Sequence, residues 1–588
     1  MSNHNEELRS VSGNNWKFRE YDERQAQALS QRYGLSMTMA KVLSARGVEV
    51  ENAESFLKPT LKNLLPDPLH YKDMNQAAER LAKAVVGGEK VGVFGDYDVD
   101  GATASSLMKR FLNMVGAEAI IHIPNRIEEG YGPNEGAIQK LWDNGARVLI
   151  TVDCGTVSYE PLAAAKRIGF DTIVVDHHIG GVELPQAFAI INPNRLDEDT
   201  EHRYMAACGV GFMLCVATNA KLREMGYYNS GRAEPNLFAL LDLVALGTVC
   251  DVMPLVGANR AFVSQGLKVL AGRSNVGLAA LADVAGLAER PGVFHLGFLL
   301  GPRINAGGRI GEASLGARLL TTEDPAEAKQ IAETLNKLNE ERRALEMLVE
   351  EEATKIVEAE GVDVPLIMPV GYGWHQGVVG IVASRLKERY YRPTAVVTVN
   401  DGICKASSRS ITGVDLGGAV SSARDMGLLL TGGGHAMAAG FTFEESKLAE
   451  VKKFLTDMLR DKVADNGNKE IRIDSEVALS AVNMSLATEL EKAAPYGTGN
   501  SEPRFMLSNV RVAVAEQVGT SHVRCILDDG VTTHRVFAMA FRSLETPMGK
   551  FLLGSVGKKI NLVVRIRASQ WQGRERVDVQ IDDAAMSA

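Results

Sequence analysis

Three apolar runs, each ending in acid or imidazole, constrain the fold of this chain more than any other feature. Val91-Gly-Val-Phe94 passes through Gly95 into Asp96-Tyr97-Asp98-Val99-Asp100-Gly101. Val148-Leu-Ile-Thr-Val152 leads into Asp153-Cys154-Gly155, and Thr172-Ile-Val-Val175 into Asp176-His177-His178. Helical stretches, Ala102–Val115 and Pro161–Ile168, follow the first two runs. Runs this continuous in Val and Ile suit strands buried on both faces. Strands alternating with helices predict a parallel α/β sheet. In such sheets ligands bind beyond the carboxyl ends of the strands. Three strand ends are therefore expected to deliver their polar groups to one edge. A fourth contribution comes from Ala245-Leu-Gly-Thr-Val-Cys-Asp251-Val-Met-Pro254, although Asp251 taken alone reads equally as a helix-terminal residue.

Alternation in an extended backbone places Asp96, Asp98 and Asp100 on one side. Three carboxylates cannot sit close together fully ionised without a cation, and a divalent metal is the natural partner of oxygen ligands. A solvated acidic turn is the plain alternative for this segment in isolation. A calcium-binding EF-hand loop also starts D-x-D-x-D-G. Its twelfth position should be a bidentate Glu, whereas Leu107 stands there and a strand, not a helix, precedes the loop. With three strand ends converging, the metal reading is preferred.

The remaining text divides into further domains, as 588 residues require. Residues 1–90 read as mainly helical, with Leu35, Met39, Val42 and Leu43 forming one apolar stripe and Met74–Val86 another. Asp324-Pro325-Ala-Glu327 is a helix start, and neither Gly nor Pro recurs before Gly361. An unbroken helix there would span about 50 Å and suits a connector. Residues 364–445 mix strands, a helix and Gly-rich loops. From about 470 to 583 short alternating strands predict a small β-barrel of the oligonucleotide-binding type.

The glycine-rich Gly432–Gly440 segment contains Gly433, Gly434 and His435. It is expected to form a turn whose N–H groups approach a phosphate, helped by Ser407, Ser408 and Arg409 upstream. Arg126, Arg303 and Arg309 are candidate phosphate clamps, though each also reads as a solvated side chain. Lys558, Lys559, Arg565, Arg567, Arg574 and Arg576 surround Trp571 with Glu575 as the only acid among them. That pattern suits a single strand, with charge along the phosphates and a ring under a base; a solvated face with a core Trp is the alternative. The net charge of −9 by itself argues against a nucleic-acid partner. Six scattered cysteines without a CxxC pair fit a reducing, cytoplasmic setting. No apolar run reaches the ~18–20 residues of a membrane helix, and MSNHNEELRSVSG has no signal-peptide core.

GDYDVDG, TVDCG, VVDHH and GTVCDVMP, in this order, resemble the four motifs of the DHH phosphoesterase superfamily. Gly432–Gly440 and Lys405-Ala-Ser-Ser-Arg409 resemble its DHHA1 domain. Pro495–Phe505, the β-rich tail, Phe56-Leu-Lys-Pro59 and Gly301-Pro-Arg303-Ile-Asn305-Ala-Gly-Gly-Arg309 resemble the RecJ branch. The resemblance implies a multidomain α/β chain. An N-terminal helical extension (1–70) would precede a parallel-sheet DHH catalytic domain (71–322). A long connector helix (323–361), an α/β DHHA1 substrate-binding domain (362–465) and an OB-like β-barrel (466–588) would follow. It further implies two divalent ions, Mn²⁺ or Mg²⁺. Asp98 and Asp100 would each bind one, Asp153 would bridge them, and His177 and Asp251 would complete the ligand set of the second ion. Several members carry a His four positions before the first of these; Phe94 stands there, and Asp96 is expected to supply the missing ligand. His178 would face the substrate phosphate. Arg126, Arg303, Asn305, Arg309, Ser407, Ser408, Arg409, Gly433, Gly434, His435 and Trp571 would contact the nucleic acid.

The implied activity is 5′→3′ hydrolysis of single-stranded DNA to 5′-mononucleotides in recombination and repair. The implied protein is a cytoplasmic monomer fed by a helicase and a single-strand-binding protein. Two alternatives remain at this stage: a phosphodiesterase of the same superfamily acting on short oligoribonucleotides or cyclic dinucleotides, and a non-catalytic single-strand-binding protein.

Overall fold

The computed structural model describes residues 10–125, 129–130, 132–466, 469–571 and 574–587. The chain divides into two compact units. One comprises residues 51–340 with 492–502, the other 1–50, 341–491 and 503–588.

The first unit is built on a five-stranded, wholly parallel sheet. Its order is Ala119–His122, Lys90–Gly95, Ala146–Val152, Asp171–Val175, Ala189–Ile191. Both faces are covered, which is why the strands read as continuous apolar text. Val91, Val93, Val148, Ile150, Val152, Ile173 and Val175 join the large core with the helices Met74–Gly87, Val99–Met114 and Ala207–Glu224. Phe94 and Leu149 point the other way, against Ile138, Leu141, Ala165 and Phe170 on the helices Glu135–Asp143 and Tyr159–Ile168 and the turn that follows. Each fully buried aliphatic contributes about 1.5–3 kcal/mol. The strands are thus anchored on two sides while their carboxyl ends stay open.

One expectation needs correction here. Asp96, Asp98 and Asp100 do not alternate along an extended backbone. The strand stops at Gly95 and the helix starts at Val99, three residues before the expected Ala102. Asp98 is its N-cap and accepts a hydrogen bond from the Gly101 N–H at 3.1 Å. This local cap outcompetes strand continuation. The helix start folds back so tightly that a Cβ on Gly101 would lie 2.3 Å from the Asp96 carbonyl oxygen. Only glycine fits there.

In the second unit the N-terminal residues are helical over Glu23–Tyr33 and Met37–Ser44, as expected. They open, however, with a strand, Asn15–Phe18, paired in parallel with Glu470–Ile473. The apolar text of Trp16 and Phe18 packs with Ile471, Ile473, Met506 and Val563, and Trp16 Nε1 donates to Asp583 at 2.9 Å. A mixed sheet of order Thr431–His435, Ala438–Glu444, Ile403–Arg409, Thr394–Asn400, Val370–Tyr372 occupies the middle of this unit. The C-terminal strands run Ser475–Glu476, Phe505–Val518, His522–Asp528, Val536–Ala540, Arg574–Met586, Lys559–Trp571. Lys559–Trp571 also pairs with Phe505–Val518, so the ladder returns on itself and few edges remain. The long helix is continuous over Pro325–Glu360 and contributes to both units. Among the described residues no helix is long and apolar enough to cross a membrane.

Residues 492–502 are tied into the first unit by the Leu255 N–H, which donates to the Thr498 carbonyl at 2.7 Å, and by a buried cation. Arg260 is 2% exposed, lies 3.8 Å from the Phe56 ring centroid and donates to the carbonyls of Phe56, Ala493 and Ala494 at 2.9, 3.2 and 3.0 Å. Replacing it with Leu removes this donor from the Phe56 and Ala494 carbonyls at about 1–3 kcal/mol each, while the Ala493 carbonyl keeps the Asn500 amide at 2.9 Å. Arg260→Leu is therefore expected to cost about 3 kcal/mol or more, read as a lower unfolding temperature by calorimetry; an unchanged transition would refute the staple.

Candidate metal centre and substrate site

The carboxyl ends of three adjacent strands meet at one edge, and the side chains gather there. Ligand-capable atoms of Asp96, Asp98 and Asp153 lie within 4.8 Å of one another, as do those of Asp100, His177 and Asp251, and those of Asp153, His177 and His178. Asp153 is common to two of these groups, and so is His177. His177 Nε2 stands 3.2 Å from Asp153 Oδ1, 3.4 Å from Asp251 Oδ2 and 3.9 Å from Asp100 Oδ2.

Each side chain is placed by local structure. Asp100, in the first turn of Val99–Met114, accepts from the backbone N–H groups of Ala207 and Cys208 at 2.6 and 3.0 Å. These belong to the N-terminus of Ala207–Glu224, where amides and dipole favour an anion. Asp153 has φ 59° and Val252, next to Asp251, also has φ 59°. Left-handed backbone at a non-glycine residue stores strain, and in Val252 the branched Cβ makes it worse. Both strained residues sit at the cluster.

The crowding shows in the acidities. Burial, then repulsion by Asp98, Asp100, Asp96 and Asp251, raises the Asp153 pKa well above the carboxylate range. Burial and the neighbouring aspartates push Asp251 up to about 9. Asp100 is raised by burial and Asp98, against the pull of His177. Burial lowers the His177 pKa, so its imidazole is neutral at pH 7 and free to act as a ligand. Asp251 Oδ2 is buried without a hydrogen bond. A buried acceptor left over, beside carboxylates forced towards the acid form, is the signature of a place built for cations. Oxygen ligands with a single neutral imidazole suit Mg²⁺ or Mn²⁺ better than zinc.

Asp176 and His178 behave differently. Asp176 accepts from Thr156 N (3.0 Å), Thr156 Oγ1 (2.7 Å), His177 N (2.8 Å), His178 N (3.2 Å) and His178 Nδ1 (2.8 Å). Although burial opposes ionisation, these bonds hold its pKa below the usual range. Burial works against charge on His178 too, but Asp176 prevails and raises it to about 9. The His178 side chain is 41% exposed against 10% for His177, so it is the more accessible of the two rings.

The candidate substrate residues fall in several places. Arg303, Asn305 and Arg309 lie on the helix Gly301–Ile310, which follows a π-helical segment His295–Leu300. A Cβ on Gly308 would lie 2.6 Å from the Tyr97 carbonyl oxygen, so this helix rests on the Asp96–Asp98 loop. Arg303 is tied to Asn336 Oδ1 at 2.9 Å and the Leu299 carbonyl at 2.7 Å, which makes it a structural brace. Arg126 and the side chain of Trp571 lie outside the described residues.

In the second unit the glycine-rich segment is a hairpin, with its turn at 436–437 and its glycines mostly on a strand. Thr431–His435 is the edge strand of its sheet, in a hairpin with Ala438–Glu444. Gly434 has φ 152°, and a Cβ there would lie 2.3 Å from the Ala438 carbonyl oxygen. Gly433 and His435 are exposed. Strand alternation separates Ser407 and Arg409 from Ser408. Ser408 is fully buried and donates to the Ala439 carbonyl at 2.8 Å, so it cannot touch a ligand. Arg409 is partly buried beside Ser407, with Nη1 3.4 Å from Ser407 Oγ, and burial lowers its pKa. The basic run in the barrel is also less free than the text implied. Arg565 forms a bidentate pair with Asp582, and Arg576 pairs with Asp578 at 2.8 Å, acids that lie beyond the run.

Thr156, Asp176, Asn192 and Asn194 are the residues that sequence reasoning passed over as site residues. Asn192 and Asn194 follow the short strand Ala189–Ile191, and the strand-end rule applied once more would have found them.

Comparison with known proteins follows the same division. Residues 90–248 match the DHH family N-terminal domain, 363–461 the DHHA1 domain and 473–583 the RecJ OB domain. The chain is 31% identical over 577 residues to the single-stranded-DNA-specific exonuclease RecJ of Bacillus subtilis, covering 97% of this chain and 71% of that one. It is 36% identical to the protein of the same description from Dickeya dadantii, over 87% of this chain and 90% of the other. The crystal structure of RecJ in complex with Mn²⁺ from Thermus thermophilus superposes with a TM-score of 0.81 at 28% identity, over 97% of this chain and 80% of that one. With relatives this similar over nearly its whole length, the chain belongs to the RecJ family of DHH-domain proteins.

Proposed function

We propose that this protein is a metal-dependent exonuclease specific for single-stranded DNA. The cluster of five aspartates and His177 at the strand ends is the observation that carries this reading. Membership of a family whose curated relatives are named for that activity supports it. Asp96, Asp98 and Asp153 would hold one divalent ion, and Asp100, His177 and Asp251 a second, with Asp153 reaching both. Divalent ions bound there supply Lewis acidity at phosphorus and a water of lowered pKa. The chain's own groups do the rest. His178, kept cationic by Asp176, offers a proton-bearing nitrogen to a phosphate oxygen. Asn305 and Arg309 line the helix beside the Asp96–Asp98 loop. Ser407, Arg409, Gly433, Gly434 and His435 form a separate strand-contact surface. We further propose 5′→3′ polarity with release of 5′-mononucleotides, and work as a monomer in recombination and repair on strands opened by a helicase or delivered with a single-strand-binding protein.

Digestion of 5′- and 3′-labelled single strands with Mn²⁺, Mg²⁺ or EDTA tests the reading. Cleavage from the 5′ end with either metal and none in EDTA is expected; activity persisting in EDTA would sink it. Asp153→Ala removes the shared ligand and should lower the rate more than ~100-fold, beyond the usual effect of an outer-shell change. Arg409→Ala, by contrast, should raise KM with little change in kcat, since Arg409 is assigned to strand binding and not to the metal cluster.

The raised acidities give a pH test. Asp251 and Asp153 carry protons in the metal-free fold that the unfolded chain has already lost. The folded state therefore binds more protons, and metal-free stability falls as pH rises from about 4 towards 9. Mn²⁺ displaces those protons. Calorimetric titration in two buffers of different ionisation enthalpy should show proton release at pH 7, with Mn²⁺ affinity rising towards pH 9. A proton-neutral, pH-independent titration would contradict the cluster's electrostatics.

A further inference from the structure

The loop after the strand Asp171–Val175 carries His177 and His178, and its backbone is not held by its own residues alone. The chain segment that fixes it comes from the neighbouring strand end. Ala189–Ile191 runs parallel to Asp171–Val175 in register, with Ile191 opposite Val175, and the Asp176 N–H donates to the Ile191 carbonyl at 3.1 Å. The two loops leave the sheet side by side. Asn192 is fully buried and uses three of its bonding positions: its amide donates to Thr156 Oγ1 and to the His178 carbonyl, both at 2.8 Å, and its Oδ1 accepts from Asn194 N at 2.7 Å. The Asn194 amide donates to the His177 carbonyl at 2.5 Å. Both histidine carbonyls are therefore gripped by side-chain amides of one turn.

We propose that Asn192-Pro193-Asn194 is a positioning clamp for the two catalytic-edge histidines, with Thr156 as its relay to Asp176. The relay is explicit. Asn192 donates to the Thr156 hydroxyl, the hydroxyl donates to Asp176 Oδ2, and Asp176 Oδ1 accepts from His178 Nδ1. Donating Nδ1–H to the carboxylate leaves His178 Nε2 as the nitrogen available to substrate. Thr156 belongs to the loop that starts at Asp153, so the relay also ties that loop to the histidine loop. The clamp is anchored from behind: Arg195 is 6% exposed and donates to the Ile190 carbonyl at 2.7 Å and to Asp73 at 2.9 Å. Pro193 restricts the backbone between the two asparagines. The two arms grip different backbone carbonyls, those of His177 and His178, while Asp176 also accepts from the His177 N–H. Asn194 sets His177, which the functional reading above assigns to a metal; Asn192 and Thr156 set His178, which that reading assigns to the phosphate. The clamp rests on that reading for its consequence, not for its geometry.

Outer-shell partners of metal ligands typically matter 10–100-fold in metal affinity or activity. Asn194→Ala is thus expected to weaken Mn²⁺ binding about tenfold or more, read directly by electron paramagnetic resonance of free and bound Mn²⁺. Its unfolding temperature without metal should stay close to wild type, because Asn194 is partly exposed. Thr156→Val, which keeps the shape and removes the hydroxyl, should cost less Mn²⁺ affinity than Asn194→Ala and lower kcat about tenfold or more, with a shifted pH profile. Asn194→Gln is the conservative comparison and should recover part of the affinity lost in Asn194→Ala. Wild-type Mn²⁺ affinity in Asn194→Ala, or loss of folding stability without loss of affinity, overturns the clamp. A wild-type chain that binds no Mn²⁺ overturns the metal reading itself, and this outcome is distinct from the other two.

Discussion

Mutual repulsion among five buried or half-buried carboxylates at one sheet edge is the constraint on which the rest of the structure depends. Unpaired charges of this kind are costly to hold together away from water. The fold tolerates them because the strands that carry them are locked from both faces by large aliphatic cores. The strained backbone at Asp153 and Val252 is held by the same surroundings. A sheet open on one face, or a loop-based site, would relieve the repulsion by moving apart. Here the cheaper relief is a cation.

The same residue type serves opposite ends within a few ångströms, and hydrogen bonding decides which. Asp176 is saturated with donors and stays ionised as an orienting group. Asp153 and Asp251 are instead pushed up by burial and by neighbouring aspartates, Asp98 and Asp100 among them, and Asp251 Oδ2 accepts no hydrogen bond. Asp100 lies between these extremes, steadied by two helix amides but repelled by Asp98. A donor-poor carboxylate next to other carboxylates is a ligand in waiting; a donor-rich one beside a histidine is a brace. This sorting also distinguishes the rings, with His177 neutral and inward and His178 charged and more exposed.

The sheet and the site were legible in the text because buried parallel strands write continuous apolar runs and end at the ligand edge. The long helix was legible because its start carries a cap and its interior lacks Gly and Pro. What was not legible depended on competition or on distance in the chain. Asp98 capping a helix replaced the extended zigzag, since a local N-cap bond wins over continued pairing that has no partner strand. Gly432–Gly434 became an edge strand because Ala438–Glu444 lies antiparallel to it, which glycine content alone does not reveal. Ser408 looked equivalent to its neighbours, but strand alternation turns it inward. Thr156 carries no spacing signature, and Asn192 and Asn194 follow a strand of only three residues, Ala189–Ile191, whose apolar run is too short to stand out.

Charge was the least transferable reading, and the reason is geometric. The basic run near the C-terminus counts acids only as far as Arg576, whereas Asp578 lies two residues further along the same strand as Arg576 and the hairpin brings Asp582 across to Arg565. Arg565 shares Asp582 with Arg504, so its charge is only partly compensated. The overall −9 fails in the opposite direction. Part of that surplus is concentrated in a cluster whose charge two divalent ions would nearly cancel, and the cluster's partner in function is itself an anion. An arginine such as Arg409, partly buried and with no carboxylate partner found among the described residues, says more about a phosphate-bearing ligand than any sum over the chain. Attraction between a single strand and this protein is thus expected to be set by a few uncompensated cations and by metal charge, each acting within about a Debye length of the strand, not by the sign of the molecule as a whole.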